Sequence, residues 1–333
     1  LVPSPAAWDG STELLQSDGI VVERGSTLTL TEGTTLLLAP GACIVCHDNA
    51  SVVLQGSPER PVVVQGSRPQ ATWGGIVAHS GCLVRMRHAI VVGSGAGGPG
   101  DGYGHHRGRP LLRLHPASNA NLVDSALLKG VGQAFGSEGA ILRLHRVLVS
   151  GFVSGGQLDD TTATIYDSTF AEFPNADQVS RGDEDNDALY VVGGTTHALD
   201  SAFMFAKDDC LDSGSGVGGS LLIQHSYFEH CLHEGVALSN TDPGQVAGAD
   251  SVPDGAAVEP KHVVVESSLF SACQQGLELG FSTSRLWAWA HNCVFSDNDV
   301  GVRYSDNYGW QTAGFLYVSA SVFTGNGQDW LNM

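Results

Sequence analysis

The sequence predicts an all-β chain wound as a single right-handed parallel β-helix, a β-solenoid with projecting loops, and three observations predict it. A short residue pattern recurs down the chain at coil-length intervals. Runs of β-branched and apolar residues are brief and are separated by Gly, Asn and Asp, as in strands joined by turns. The composition, with 43 glycines in 333 residues and only 15% charged residues, suits many strands and turns better than a helical bundle.

The recurring pattern is a polar residue, a small residue, any residue, then Leu or Phe. Its copies are Asp124-Ser125-Ala126-Leu127, His145-Arg146-Val147-Leu148, Asp167-Ser168-Thr169-Phe170 and Asp200-Ser201-Ala202-Phe203, followed by His225-Ser226-Tyr227-Phe228, Ser267-Ser268-Leu269-Phe270, Asn292-Cys293-Val294-Phe295 and Ala320-Ser321-Val322-Phe323. The anchors are spaced 21, 22, 33, 25, 42, 25 and 28 residues apart. A repeat of about 21–28 residues suits one solenoid coil, and coils lie about 4.8 Å apart, so equivalent residues stack into columns. Phe170, Phe203, Phe228, Phe270, Phe295 and Phe323 are therefore expected to form an internal aromatic stack. Three residues after the anchors come Cys231, Cys273, Asn298 and Asn326, an expected internal ladder in which Asn bonds the backbone of the next coil. Cys231 and Cys273 are expected there as buried thiols.

The longer periods mark loops, at 178–187 and 241–260, with a third at 93–109 where Gly, His and Arg mix. The chain reads as one domain, with entry coils and the Gly-rich loop over 1–110 and regular coils over 111–333. No capping helix is evident at either end. The expectation is a chain cut from a longer protein, or one that makes an end-on contact with another domain or subunit.

The net charge of −19 argues against nucleic acid as a main partner. It also opposes a polyanionic substrate unless a bound cation or a local basic pocket offsets the repulsion. No run is long and apolar enough for a membrane span. No signal peptide is visible, and a secreted, periplasmic or cell-surface location follows from the fold type alone. The seven cysteines are odd in number and lack the spacing of a disulfide framework. Cys43, Cys46 and His47 match the C-x-x-C-H haem-attachment pattern once, in a strand-like segment, and the match reads as fortuitous.

Aligning the coils on their apolar frames places Asp187, Asp209, Glu234, Gln275 and Val300 in one column. Asn186, Asp208 and His233 form the neighbouring column, and Tyr190, Asp212, Ala237, Glu278 and Arg303 another. Asp187, Asp208, Asp209, Asp212 and Glu234 should then crowd together, and like charges that close raise one another's pKa unless a cation intervenes. Two chemistries suit such a cluster. Paired carboxylates can cleave a glycosidic bond, one as acid and the others activating water. Alternatively the carboxylates hold Ca²⁺, which acidifies the proton beside a uronate carboxylate for removal by a base. Glu278 and Arg303, one coil apart, read as a cross-strand ion pair or as substrate-binding groups. Trp287 and Trp289 alternate on one strand and either stack on sugars or pack under a loop.

These residues carry a resemblance. Asn186-Asp187-Ala188-Leu189, Asp208-Asp209-Cys210-Leu211, His233-Glu234-Gly235 and Gly301-Val302-Arg303-Tyr304-Ser305 are similar, in order, to the motifs of polygalacturonase-type family 28 glycoside hydrolases, of the pectin-lyase-like superfold. That resemblance implies Asp208 as the acid, Asp187 and Asp209 as the water-activating pair, His233 in support and Arg303 on a substrate carboxylate; Ser305 stands where the family has lysine. The Asp208-Asp209-x-x-Asp212 segment, with Asp187 one coil earlier, also resembles the calcium cluster of family 9 polysaccharide lyases, which implies a lysine base, Lys207 or Lys261. More loosely, the C-terminal half resembles β-helix segments of large bacterial surface proteins, which implies a non-catalytic, calcium-stabilised binding or spacer module. The expected function is cleavage of a polysaccharide, with the lyase and the non-catalytic module as alternatives.

Overall fold

The structure is a computed structural model; the residues it describes are 6–8, 13–16, 19–68, 72–95, 102–104, 108–174, 186–214, 219–239, 261–280, 286–305, 312 and 314–333. The described chain winds through twelve coils of three strands each. The coil around Phe203 is representative, with strands Thr195–Leu199, Ala202–Ala206 and Leu211–Ser213. First strands of successive coils pair with first strands, second with second and third with third, always in parallel. The third strands make a twelve-stranded sheet. The first and second strands merge into one 22-stranded sheet, because the ten-residue strands Asn119–Leu128 and Ile141–Ser150 run through both faces. The three faces are called here the first, second and third sheets. No helix among the described residues is long and apolar enough to cross a membrane.

The repeat has a structural meaning at the corner between the first and second strands. Asp167, Asp200, His225, Ser267, Asn292 and Ala320 all have φ between 48° and 54°, the left-handed conformation that bends the chain at a single residue. The small residue that follows turns inward. The amide of Ser168 donates to Ser201 Oγ (3.1 Å), that of Ser201 to Ser226 Oγ (3.3 Å) and that of Ser226 to Ser268 Oγ (3.1 Å). This serine ladder satisfies backbone donors that a tight corner would otherwise leave buried and unpaired.

Next along each coil stands the phenylalanine column. Phe170, Phe203, Phe228, Phe270 and Phe295 are fully buried, and neighbouring rings stack at 4.9–5.4 Å, ending on Phe323. Each buried ring contributes about 1.5–3 kcal/mol from burial alone. The rings lean on the start of the third sheet, where a Cβ added to Gly235 would lie 2.8 Å from Phe270 and one added to Gly276 2.8 Å from Phe295. The asparagine ladder is present too: Asn298 Oδ1 accepts the Cys273 amide (3.0 Å), and Asn326 Oδ1 accepts the Asn298 amide (3.1 Å).

Two expectations are corrected. The anchor of the second motif copy is Val149, not Leu148: Val149 pairs with Phe170 and is buried, whereas Leu148 is 39% exposed. The left-handed corner there is Arg146, one residue later than the pattern suggested. Cys231 is not a thiol. It is bonded to Cys210 across adjacent coils (Cα–Cα 5.5 Å), and Cys46 is bonded to Cys82 (6.2 Å); Cys273 and Cys293 remain as buried thiols. The loop at 241–260 lies outside the described residues, as does most of 178–187.

Candidate functional site

The acidic columns run where the chain turns into the third sheet. Tyr190, Asp212, Ala237, Glu278 and Arg303 pair coil after coil in the expected register. These side chains point away from the apolar interior, which is lined on the alternate positions by Leu211, Val236, Leu277 and Val302. Three residues before the Tyr190 column, the Asp187 column is turned inward. Asp187, Glu234 and Gln275 are 2–3% exposed and Asp209 is 8% exposed.

That inward column is a ladder. Asp187 Oδ1 accepts the Asp209 amide (3.3 Å), and Asp209 Oδ1 accepts the Glu234 amide (2.9 Å). Glu234 Oε1 accepts from Gln275 Nε2 (2.6 Å). Burial, then the negative charge and hydrogen bond of Glu234, then the charges of Asp208 and Asp212, hold the Asp209 carboxyl well above the usual carboxylate range. Asp209 therefore keeps a proton under conditions in which an exposed aspartate would lose it.

Asp208 and His233 stand on the outer side of the same turn. Asp208 Oδ1 lies 2.6 Å from His233 Nδ1, with the Asp208 side chain 14% and the imidazole 42% exposed. Their backbones are joined as well, through the His233 amide and the Asp208 carbonyl (3.3 Å). Asp208, Asp209 and His233 present ligand atoms within 4.8 Å of one another, a geometry open to proton transfer or to a metal ion. Asp187 and Asp212 are not in that group, so the four-aspartate set expected for Ca²⁺ does not gather as a unit among the described residues. Asp183 and Asp185, which alternate with Asp187 in the sequence and would add carboxylates for calcium, lie outside the described residues.

The other expected site residues are dispersed. Arg303 sits three coils beyond Asp208, where its Nε donates to Ser305 Oγ (2.7 Å) and lies 4.0 Å from Glu278 Oε2. Lys207 directly precedes the cluster, is half-buried, and gives its amide to the Phe173 carbonyl (2.6 Å). Lys261 opens the strand Lys261–Glu266 on the first sheet, and its side chain lies outside the described residues. Trp287 is on the first sheet, away from the cluster, against Trp289 and Phe315 (ring centroids 6.0 and 5.1 Å). Cys43 and Arg109 meet at 2.9 Å, whereas His47 stacks on His79 and His79 on His115 at successive corners (5.5 and 4.9 Å).

A polar network on the outer face of the third sheet escapes sequence reasoning. Tyr103, from the Gly-rich loop, donates to the Asp159 carboxylate and lies under the Arg113 guanidinium (3.6 Å). Gln157 Nε2 donates to Asp159 (2.7 Å), and Gln133 Nε2 pins the loop through the carbonyls of Tyr103 (2.6 Å) and Gly108 (2.7 Å). The only sequence signal was the loop itself, since nothing in a single chain says which sheet a loop will cover.

No family profile matches the sequence, and neither does any curated protein. Among solved structures, the chain is similar to a mutant form of the periplasmic alginate epimerase AlgG, with 10% identity and a TM-score of 0.52 over 100% of this chain and 79% of that one. It also matches the Dettilon tailspike protein (10% identity, TM-score 0.43, 98% of this chain and 56% of that one). A third match is the catalytic unit of a GH87 α-1,3-glucanase from Streptomyces thermodiastaticus strain HF3-3 (9%, 0.39, 96% and 63%). The first similarity, together with the three parallel strands per coil, establishes the fold of the chain as a right-handed parallel β-helix.

Proposed function

We propose that this chain is an exported carbohydrate-active β-helix that cleaves glycosidic bonds of a polysaccharide at the Asp208–Asp209–His233 cluster. The observation that carries the reading is the pairing of a buried carboxyl, Asp209, with an outward Asp–His dyad. Asp208 accepts a hydrogen bond from the Nδ1–H of His233, which keeps that proton on Nδ1 and leaves Nε2 as the acceptor, so the imidazole is set up as a base. Asp209, held protonated by burial beside Glu234, supplies its proton to the departing glycosidic oxygen while His233 removes one from the attacking water. The acid role thus moves from Asp208 to Asp209. Asp187, buried and bonded to the Asp209 amide, positions the acid rather than activating water. A chain similar in fold to an alginate epimerase is consistent with action on a polysaccharide, and the two disulfides suit an oxidising compartment.

A second reading rests on the same ligand set. Asp208, Asp209 and His233 would hold a divalent cation, which supplies charge to acidify a proton next to a uronate carboxylate in a lyase, or only stability in a non-catalytic module. An imidazole in the set favours a transition ion over Ca²⁺.

The test is mass spectrometry of products from a panel of acidic and neutral polysaccharides, with and without added divalent ions. Saturated products that vanish in both Asp209→Asn and His233→Gln support the hydrolase. Products lighter by one water support the lyase. No products from any polymer, with wild-type folding intact, overturn cleavage and leave the binding module.

A further inference from the structure

The chain's acidity is not evenly spread. Residues 85–146 hold half of the 16 Lys and Arg but only Asp101, Asp124 and Glu138 of the 35 acidic residues. The fold gathers part of this excess on one flat surface. On the first sheet, Arg85 pairs with Asn121 and Asn121 with Arg143, so the two arginines share a column two coils apart, about 9–10 Å. Arg87, Val123 and His145 form the adjacent outward column.

Arg85, Arg87 and Arg143 are exposed, and neither Arg85 nor Arg87 has an ion-pair partner among the described residues. Asp124, at the adjoining corner, is already engaged by Arg146 through both oxygens (2.5 and 3.0 Å). From Thr27–Thr31 to Ser220–Gln224, the strand residues that lie on the first sheet contain no Asp or Glu; Asp124, within Asn119–Leu128, stands at the corner where that strand passes to the second sheet. Eight consecutive coils without a carboxylate on one face, in a chain with net charge −19, leave that face electropositive against its surroundings.

We infer that this face of the first sheet, centred on Arg85, Arg87 and Arg143, is a binding surface for an acidic polysaccharide, separate from the cluster at the edge of the third sheet. A glycan bearing a charge or two per sugar matches cations set two residues apart on one strand and two coils apart across the sheet. The amides of Asn119 and Asn121, set between the arginines, are suited to its hydroxyls. The surface answers the objection that net charge raises against polyanions, and it holds whether or not the other site is catalytic.

The experiment is titration of the intact chain with polygalacturonate, heparin, dextran and a single-stranded oligodeoxynucleotide, at low and at physiological salt. Wild type should bind polygalacturonate or heparin, not dextran, with an affinity that falls as salt rises. Carboxylate and sulfate glycans are distinguished by which of the two binds. Removing an exposed charge pair costs about two- to fivefold, so Arg85→Ser/Arg143→Ser should weaken binding about tenfold at an unchanged melting temperature. Asp208→Asn should bind as wild type does, which keeps this surface distinct from the proposed active site. Binding to neither acidic glycan, unchanged affinity in the double variant, or tighter binding of the oligonucleotide through the same arginines would overturn the proposal.

Discussion

Phe270→Ala should cost far more than Phe323→Ala, although both remove the same ring from the same column. Phe270 is fully buried and stacked on both sides, against Phe228 at 4.9 Å and Phe295 at 5.0 Å. Truncating a buried Phe to Ala costs about 3–5 kcal/mol, and two lost stacking partners at about 0.5–1.5 kcal/mol each place it at the top of that range. Phe323 is only partly buried and stacks on one neighbour, Phe295, at 5.0 Å. Its loss should cost about 1–1.5 kcal/mol, roughly half the burial value of a full ring. The assay is urea unfolding followed by far-ultraviolet circular dichroism, with the midpoint shift converted through a common slope. A double variant, Phe270→Ala/Phe295→Ala, should cost less than the sum of its parts, because the second truncation finds its partner already gone. Equal losses at Phe270 and Phe323, or strict additivity in the double variant, would refute the idea that stability is passed from coil to coil through the rings.

Other outcomes follow from named contacts. Asp209 has its pKa raised in the folded state, so its contribution is full below the ordinary aspartate value near 3.8 and is lost as pH rises through the elevated folded value. Asp209→Asn, which cannot ionise, should therefore melt higher than wild type at pH 8, with the advantage shrinking or reversing at pH 4; a difference independent of pH would refute this. Asn298→Ala leaves the Cys273 amide and the Phe270 carbonyl without their side-chain partner and should lower stability by about 1–3 kcal/mol, seen as a lower urea midpoint. Thiol labelling without reductant should count three free cysteines in denaturant, Cys43, Cys273 and Cys293, and modify Cys43 first in the native protein. His115, whose pKa is lowered by burial and then by Arg113 and His79, adds stability that is present above about pH 6.5 and falls away in more acidic solution, so His115→Asn should flatten the melting temperature between pH 5 and 7.

Much of this architecture can be read from residues because the solenoid repeats its own checks. The corner, the serine, the phenylalanine and the asparagine fall at fixed offsets, so the Tyr190–Arg303 column could be aligned through five coils from the sequence and holds in the structure. Where the repeat is degenerate, reading fails. Val147, Leu148 and Val149 are all apolar, so alternation could not fix the phase, and the anchor slipped by one residue. The Asp187 and Asp209 carboxylates belong to an inward ladder, yet a polar residue at the mouth of a strand reads the same whether it faces water or the interior. Cys210 and Cys231 are neighbours only through the 21-residue path of one coil, and the cysteine spacing carried no sign of it. The histidine stack at His47, His79 and His115 did leave a trace, a histidine three residues ahead of Ala50, Cys82 and Ser118, each of whose amides returns to the histidine carbonyl.

The single-residue corner between the first and second strands limits how this scaffold can change. Two residues, and no more, separate those strands in coil after coil: Asp200-Ser201, His225-Ser226, Ser267-Ser268, Asn292-Cys293 and Ala320-Ser321. One extra residue there would rotate serine and phenylalanine out of their columns and interrupt every ladder at once. Around the third sheet the chain follows no such metre, with sixteen residues between Phe173 and Tyr190 and twenty-one between Ser239 and Lys261. From Thr162 onward, variation in length is thus channelled to the rim of one face. A lineage built on this scaffold can rewrite what surrounds the Asp208–His233 turn while the other two faces keep time.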